Sequence, residues 1–231
     1  MNSLRILSGG AAHGLVASLA ADFKAKTGFD IKGEFGAVGG MADKLRKGAA
    51  VDLIILTSAL LKALAGEKLV APSSIRDVGV VETALAVRSG DPAVTAQSAD
   101  ALRAAFLASD AIFVPDTKAS TAGIHVAKVL AQLGIADEVA LRLKIFPNGA
   151  TAMGELAASK ATRPIGCTQS TEIIATKGAK LSGVLPKGCD LATTYTAGIT
   201  TSATHARQAQ VLIDLLSSAG AREARARAGF L

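Results

Sequence analysis

The sequence predicts an α/β protein with two Rossmann-like lobes joined by hinge strands. Short apolar strands alternate with helices along most of the 231 residues, and such alternation is typical of a parallel sheet with helices on both faces. A long apolar segment, Val78–Val87, separates a first strand–helix series from a second one. Because no low-complexity linker joins the two series, we expect ordered crossovers and a hinge. The predicted lobes are residues 1–82 plus 198–231, and residues 83–197.

Three strand–helix pairs form the first series. Each strand is short and apolar and ends in small or polar residues, and each helix carries apolar residues at helical spacing. The predicted strands are Leu4–Leu7, Phe29–Phe35 and Val51–Leu56, and the predicted helices are His13–Thr27, Met41–Lys47 and Ala59–Ala65.

The second series repeats the pattern and ends in a further strand and helix. Sheets of this kind bind ligands at the carboxyl ends of their strands, near a topological switch point. The predicted strands are Ile112–Val114, Leu143–Phe146, Pro164–Thr168 and Ala192–Ile199, and the predicted helices are Ile124–Leu133, Ala152–Ala158, Glu172–Lys177 and Thr204–Ser217.

The composition favours a small acidic ligand. The chain is 50% hydrophobic and 19% charged, with one tyrosine and no tryptophan, and its net charge is +6. Its densest basic cluster is Lys44–Lys47, and aromatic residues that could stack on bases are nearly absent. We therefore do not expect nucleic-acid binding.

The sequence indicates neither a metal nor a cofactor. Cys167 and Cys189 each follow a glycine in an apolar context, which is typical of buried free thiols, with a disulfide as the alternative in an exported protein. Neither cysteine has a His or a second Cys at metal-ligand spacing. Phosphate-loop, dinucleotide and nucleophile-elbow motifs are absent from the sequence.

The N-terminal residues predict a cytoplasmic protein. Residues 1–7 enter a strand directly, without the basic region and apolar run of a signal peptide. No apolar run approaches the roughly 20 residues of a membrane helix. We expect no membrane insertion and, for the sequence as it stands, a soluble cytoplasmic protein. An exported protein with its signal peptide removed would have the same features.

The loops after the first three strands are candidate anion sites. Each puts small or hydroxyl residues at a helix start, where free backbone N–H groups and the helix dipole attract an anion. His13 could donate to an anion or serve as an acid–base group, although an exposed or capping histidine is an equal alternative. Tight turns and helix capping are the alternatives for the other candidates, which are Ser8, Gly9, Gly10, Gly39, Gly40, Thr57 and Ser58.

The second lobe offers similar loops. A lysine, hydroxyls and helix starts suit a carboxylate or an oxyanion, with a solvated loop or an ordinary cap as the alternative. Glu172 could be a base, or it could interact with the helix dipole from the first turn. Tyr195 could donate its hydroxyl to a ligand or pack in the core. The further ligand candidates are Lys118, Ser120, Thr121, Asn148, Thr151, Gln169 and Ser170.

Several pieces of the chain, in this order and spacing, resemble the periplasmic molybdate-binding proteins within the type II solute-binding fold. The resemblance spans nearly the whole chain and implies type II periplasmic-binding-protein architecture. The pieces that carry it are Ala20–Gly28, Gly48–Ile55, Thr121–Ile124, Ser170–Glu172 and Ala228–Phe230.

The resemblance also implies where an oxyanion would bind. Family members hold it with a serine in the first loop and another in the second, and the matching positions here are Ala11 and Val38–Gly40. Gln169 stands where the family has a tyrosine. Main-chain donors remain at Ala122 and near Thr151. With two hydroxyls and a phenol missing, the site is less crowded, and a larger anion could fit.

Two functions follow as hypotheses. The first is a binding protein that holds a small oxyanion or carboxylate between the lobes by helix N-termini and closes by hinge motion, with an ABC permease as partner if it is exported. The alternative is a cytoplasmic isomerase of a polycarboxylate, since aconitate isomerase resembles the same family. A 1,3-proton shift needs one base, for which His13, Glu172 and Tyr195 are candidates. A cytoplasmic anion-sensing regulator is a third possibility.

Overall fold

The chain, in a computed structural model that describes residues 2–231, divides into two compact units. Unit 1 ends at Val81 and resumes with Thr193–Leu231, and unit 2 is Glu82–Ala192. The sequence-based boundary at residue 198 differs from this division. The chain re-enters unit 1 already at Thr193, because the strand Ala192–Ile199 pairs with a strand of unit 1 from Tyr195 onward.

Residues 2–231 contain nine strands and ten α-helices. The strands are β1 (Ser3–Gly9), β2 (Asp30–Gly36), β3 (Leu53–Thr57), β4 (Arg76–Arg88), β5 (Ala111–Pro115), β6 (Leu143–Phe146), β7 (Pro164–Gln169), β8 (Ala179–Val184) and β9 (Ala192–Ile199). The helices are α1 (His13–Thr27), α2 (Val38–Arg46), α3 (Ser58–Gly66), α4 (Ala99–Ala108), α5 (Thr121–Gln132), α6 (Ala136–Val139), α7 (Gly149–Ala158), α8 (Ser170–Ala175), α9 (Ala206–Ser217) and α10 (Arg222–Arg227).

The predicted alternation of strands and helices is confirmed, but several helices begin earlier than predicted. α2 starts at Val38 and α5 at Thr121, each three residues before its predicted start. The predicted starts were placed where apolar periodicity begins, whereas the first turn of a helix can consist of small residues that lack this periodicity. Sequence analysis also missed α4, although Ser98 caps it and Leu102 and Phe106 have helical spacing. α6, α10 and β8 were missed as well.

Each unit contains a mixed sheet rather than the predicted parallel one. In unit 1 the strand order is β2-β1-β3-β9, with β1 parallel to both neighbours and β9 antiparallel to β3. In unit 2, β5 is parallel to β6 and β7, while β4 is antiparallel to β7 and β8. Parallel neighbours need a crossover helix. β4 and β9 lack one, because they carry the chain directly from one unit into the other.

The cores follow from strand periodicity. Unit 1 has one continuous core, in which strand residues such as Ile54 pack against helix residues such as Phe23 and Leu212. In unit 2 alternate strand residues enter two cores on opposite faces of the sheet. One face, the α5 side, packs against α4 and α5, and the other, the α7 side, packs against α7. The α5 side takes Leu85, Ile112, Val114, Ile165 and Cys167, and the α7 side takes Ala84, Ala86 and Phe113.

Within residues 2–231, every helix is too short or too polar to cross a bilayer.

Candidate functional site

Three strand–helix junctions lie together at one edge of the unit 1 sheet. The parallel register pairs Gly9 with Gly36 and Ser8 with Ile55, so β1, β2 and β3 end at about the same level. A 3-10 turn, Gly10–Ala12, follows β1 and runs into α1. α2 and α3 begin within two residues of the strands before them. Three helix N-termini therefore open at this edge.

These N-termini are not capped by the protein. Among the described residues, no side chain accepts a hydrogen bond at the N-cap position of the 3-10 turn, α1, α2 or α3, and none of their first turns contains an acidic residue. The first N–H groups of a helix have no partner within it. The backbone N–H groups of residues 10–11, 38–40 and 58–60 therefore have no acceptor within their own helix or in the N-cap side chain.

Helix capping, the alternative role considered for Thr57 and Ser58, is not found at α3. Thr57 occupies the N-cap position, yet its side chain makes no capping hydrogen bond. Gly39 and Gly40 lie inside the first turn of α2 rather than in a loop before it. A Cβ added at Gly40 would meet no atom within 4 Å, so the space beside this turn is open.

Ser8 and Gly9 have packing roles in addition to their place at the edge. Ser8 is buried and its Oγ donates to the carbonyl of Gly9 at 2.9 Å. A Cβ at Gly9 would lie 2.8 Å from Val38 Cγ1 and 2.9 Å from Tyr195 Cε1. Ala11, like Ser8, has a buried side chain. The Ser8 hydroxyl is thus already bonded and Ala11 has no polar side-chain group, so the backbone N–H groups are the donors that this loop can offer to an anion.

Two of the candidate bases in unit 1 have different surroundings. Tyr195 is 3% exposed and its ring meets Phe230 edge-on, with 6.4 Å between centroids, which places it in the core. His13 is exposed, and its ring centroid lies 4.4 Å from that of Phe35. It lines a cavity of about 230 Å³ together with Val16 and Ile31. Of these two, His13 is the side chain that a solute can reach.

In unit 2, the start of α5 has the same open character. Ser120 is its N-cap residue and is buried, but its side chain makes no capping hydrogen bond. The first turn, with Thr121 and Ala122, contains no acidic residue. Asp116 lies earlier in the loop, where backbone N–H donation by Lys118 and Ala119, at 2.7 and 2.8 Å, lowers the pKa of its carboxyl group. The Lys118 side chain is exposed.

Gly123 explains how α5 can start so close to the sheet. A Cβ at this position would overlap the carbonyl oxygens of Asp116 and Pro115. The helix start therefore packs directly on the backbone at the end of β5. Gly123 lies in the segment Thr121–Ile124 that carries the family resemblance, and its packing role is visible only in the structure.

The start of α7, by contrast, is already satisfied. Asn148 Oδ1 accepts from the Thr151 backbone N–H at 2.9 Å and from Thr151 Oγ1 at 3.0 Å. The carboxylate of Glu172 accepts from the N–H groups of Gly149 and Ala150. The Ala152 N–H bonds the carbonyl of Asn148. The expectation of main-chain donors near Thr151 is thus wrong, because the protein's own groups have taken them.

Glu172 is a buried structural carboxyl group in this arrangement. It is 6% exposed, and Thr168 Oγ1 donates to its Oε2 at 2.6 Å. Burial raises its pKa, because the charged form is poorly solvated, while the hydrogen bonds from Thr168, Gln169, Gly149 and Ala150 oppose that rise.

A different set of polar groups in unit 2 lacks partners. Gln169 is 2% exposed, and neither its Nε2 nor its Oε1 has a hydrogen-bond partner within residues 2–231. The hydroxyl groups of Thr83 and Thr171 are buried and unpartnered in the same way. Sequence analysis named Gln169 but missed Thr83. The signal that could have found Thr83 is a hydroxyl residue that follows Glu82 in the mostly apolar strand β4.

The remaining titratable groups do not form a metal centre. Within the described part of the chain, no group of three His, Cys, Asp or Glu side chains could hold an ion. Cys167 and Cys189 are both buried free thiols, and burial raises the pKa of Cys167 to about 12. His125 Nε2 lies 2.8 Å from the Cys189 carbonyl, a contact within the unit 2 structure.

Comparison with known proteins begins with the sequence. A family profile described as bacterial extracellular solute-binding protein matches residues 4–231. An aconitate isomerase from a Pseudomonas species is 23% identical over 232 residues, which cover 97% of this chain and 86% of that protein.

Solved structures share the fold across the whole chain. The periplasmic molybdate-binding protein of Azotobacter vinelandii has a TM-score of 0.83 at 18% identity and 99% coverage of both chains. The sulfate-binding protein SubI of Mycobacterium tuberculosis has a TM-score of 0.77 at 18% identity, with coverage of 100% of this chain and 86% of SubI. These likenesses confirm the predicted α/β fold of the type II periplasmic binding proteins. The chain therefore belongs to the bacterial extracellular solute-binding protein family.

Proposed function

We propose that this chain binds a small oxyanion or carboxylate through open helix N-termini. The donors are the first-turn N–H groups of the Gly10–Ala12 turn, α2 and α3 in unit 1 and of α5 in unit 2. One observation carries the proposal. Side chains of the protein cap the starts of α4 and α7, through Ser98 and Asn148, whereas within residues 2–231 no N-cap side chain caps these four helix starts.

The energetics favour an external anion at these positions. A missing N-cap costs about 1 kcal/mol of helix stability. A hydrogen bond to a charged group contributes about 1.5–3 kcal/mol, and a helix dipole adds about 0.3–1 kcal/mol. The net charge of +6 attracts an anion in addition. An anion at such a helix start replaces the cap that the chain leaves out.

The chemistry of the relatives supports the same ligand class. Two solved structures of this fold are named for molybdate and sulfate, and the aconitate isomerase acts on a polycarboxylate. Molybdate, sulfate and a polycarboxylate such as aconitate are all small and carry several oxygens that share negative charge. Gly10, Gly39, Gly40 and Ser58, with Thr121 and Ala122, are the residues proposed to contact the ligand. That a single anion is held by both units stays a prediction.

A thermal-shift screen tests the proposal. The anions are molybdate, tungstate, sulfate, phosphate, citrate, cis-aconitate and trans-aconitate, with chloride at matched ionic strength as the control. A true ligand at 100 times its Kd stabilises the protein by about 2.7 kcal/mol, which raises the Tm by several degrees. If every anion behaves like chloride, the proposal is wrong.

A partner follows if the protein is exported. Family membership supports an ABC permease that accepts the loaded protein. Cell fractionation decides between this role and the cytoplasmic location predicted from the sequence. Copurification with a permease only in the presence of the ligand would support transport.

A polycarboxylate isomerase is the second candidate function, and the match over 97% of the chain to aconitate isomerase favours it. Of the three candidate bases, Glu172 and Tyr195 are buried and His13 is exposed. We therefore assign the base role in this alternative to His13. Incubation with trans-aconitate, followed by NMR, tests for turnover. His13→Ala should abolish turnover while the ligand-induced Tm shift persists. Binding of trans-aconitate without turnover would exclude the isomerase.

A further inference from the structure

Three buried side chains of unit 2 have polar atoms without partners. Thr83, Gln169 and Thr171 are 1%, 2% and 3% exposed. Their hydroxyl groups, and both polar atoms of the Gln169 amide, make no hydrogen bond within residues 2–231. Leaving a buried polar group unsatisfied costs about 1–3 kcal/mol, and native proteins keep such groups rare. Four atoms of this kind in one short region indicate that something outside the chain satisfies them.

The register brings two of these residues together. Thr83 of β4 and Gln169 of β7 are direct partners in the antiparallel ladder, so their side chains lie on the same face of the sheet. Thr171 follows Gln169 by two residues, in α8. Thr83 and Gln169 thus place their unpartnered atoms on one face at the carboxyl end of β7, and Thr171 follows just beyond this strand end; the polar cluster consists of these three residues.

That face is the one on which α5 packs. Side chains alternate along a strand, and Cys167 and Ile165, two and four residues before Gln169, belong to the α5-side core. Leu85, two residues after Thr83, belongs to it as well. Thr168 lies on the opposite face, where its hydroxyl meets Glu172 at the start of α7.

The cluster and the open start of α5 therefore lie at the same end of the same face. β5 and β7 are parallel, with Phe113 opposite Gly166, so both strands end at this edge. α5 begins shortly after β5, at Thr121. An anion held by the Thr121 and Ala122 N–H groups would be the natural partner of the cluster.

The cluster requires more than an acceptor. Gln169 Nε2 and the two hydroxyl groups can donate to an anionic oxygen, but Gln169 Oε1 can only accept. Sulfate and molybdate dianions offer acceptors alone, and either would leave Oε1 unsatisfied and facing negative charge. A ligand with an O–H group satisfies it.

We propose that this site selects an anion that also carries an O–H donor, either a hydroxycarboxylate or a protonated oxyanion. Gln169 Oε1 accepts the hydrogen bond from this O–H group. The inference rests on the proposed function and specifies its ligand class.

Pairs of anions that differ in one O–H group test the inference by calorimetry. The pairs are citrate and tricarballylate, L-malate and succinate, and phosphate and sulfate at pH 6. The member with the O–H group should bind about tenfold or more tightly, because its absence leaves a buried acceptor unpaired. A preference within the carboxylate pairs indicates a hydroxycarboxylate ligand, and a preference within the phosphate–sulfate pair indicates a protonated oxyanion.

Variants assign the preference to the cluster. Gln169→Met keeps the size of the side chain and removes both polar atoms, so the affinity ratio within the preferred pair should fall toward one. Thr83→Val tests the neighbouring hydroxyl with a nearly isosteric change and should weaken binding of both members. Gln210→Met, on α9 where Gln210 bonds Asp214, is the matched control and should leave the ratio unchanged.

The outcomes distinguish a failure of the proposed O–H preference from a failure of the proposed anion binding. Equal binding within every pair, or a ratio that survives Gln169→Met in a folded protein, overturns the inference and leaves anion binding intact. Binding of no member of any pair overturns both. A preference that Gln169→Met removes and Gln210→Met retains establishes the inference.

Discussion

The carboxylate of Glu172 accepts a hydrogen bond from the backbone N–H of Gly149, so a side chain of the protein itself occupies the N-terminus of α7. Asp52 Oδ1 accepts from the Thr204 and His205 N–H groups, which lie just before α9, at 2.9 Å. Asn148 caps α7 as well, whereas within residues 2–231 no N-cap side chain caps the Gly10–Ala12 turn, α2, α3 or α5. This contrast is the physical basis of the proposed function.

We expect Gly149→Ala to destabilise the protein by about 2–4 kcal/mol, because the added Cβ would overlap both Glu172 Oε2 and Thr168 Oγ1. Gly154→Ala in the same helix is the matched control, since a Cβ there meets no atom within 4 Å. That control should be neutral or stabilising by up to about 1 kcal/mol. Urea unfolding measures both variants, and equal effects would contradict the tight contact at Gly149.

Glu172 should make stability fall as the pH rises. Burial raises its pKa above the ordinary 4.5, so the folded protein keeps a proton that the unfolded chain has already lost. The unfolding free energy therefore decreases from about pH 4.5 up to the pKa of the folded state, by at most about 1.4 kcal/mol per pH unit.

Glu172→Gln removes this titration. The difference between the unfolding free energies of the variant and the parent protein should change with pH, in favour of the variant as the pH rises. Urea titrations between pH 4.5 and pH 8 measure it. A difference that is independent of pH would show that Glu172 titrates alike in both states.

Asp52 should have the opposite pH dependence. Burial works against its charge, but donation by the N–H groups of Arg5, His205 and Thr204 outweighs this and lowers its pKa below 3.8. Its stabilising effect is thus present above pH 3.8 and is lost as the pH falls through the folded-state pKa. We expect Asp52→Asn to cost about 2 kcal/mol at pH 7, and less as the pH falls below 3.8.

Asp22→Asn is the control for Asp52, because Asp22 is exposed on α1 and the charge change is the same. Chemical denaturation at pH 7 and at pH 3 measures both. A cost for Asp52→Asn that is as large at pH 3 as at pH 7 would be inconsistent with a charge-dependent role.

An acidic residue placed in an open first turn should compete with the ligand. Gly40→Asp in α2 and Thr121→Asp in α5 each put a carboxylate beside free N–H groups. We expect each substitution to add about 0.3–1 kcal/mol of stability and therefore to raise the Tm of the free protein slightly. Each should also strongly reduce the Tm shift that the anion induces. Ala104→Asp, on the exposed face of the capped helix α4, adds the same charge and should leave the shift intact. A shift that survives both first-turn variants would place the ligand elsewhere.

Much of the fold could be read from local patterns. The bounds of α1, β6 and β9 match the predictions, because apolar periodicity and the residues that end each element lie within a few positions of one another. The start of α2 could not be placed, because Gly39 and Gly40 are poor helix formers and tertiary packing decides their conformation.

The class of the protein follows from the sequence alone, through two strand–helix series, small residues at helix starts, a positive net charge and the resemblance to a solute-binding family. The tertiary structure decided which helix starts are open. Asn148 with Thr151 and Glu172 with Gly149 satisfy α7, whereas Gln169 and Thr83, 86 positions apart, leave their polar atoms unpaired. Such hydrogen bonding depends on strand register and on the face of the strand that a side chain occupies. Because the partner side chain can be distant in sequence, local sequence patterns do not predict it.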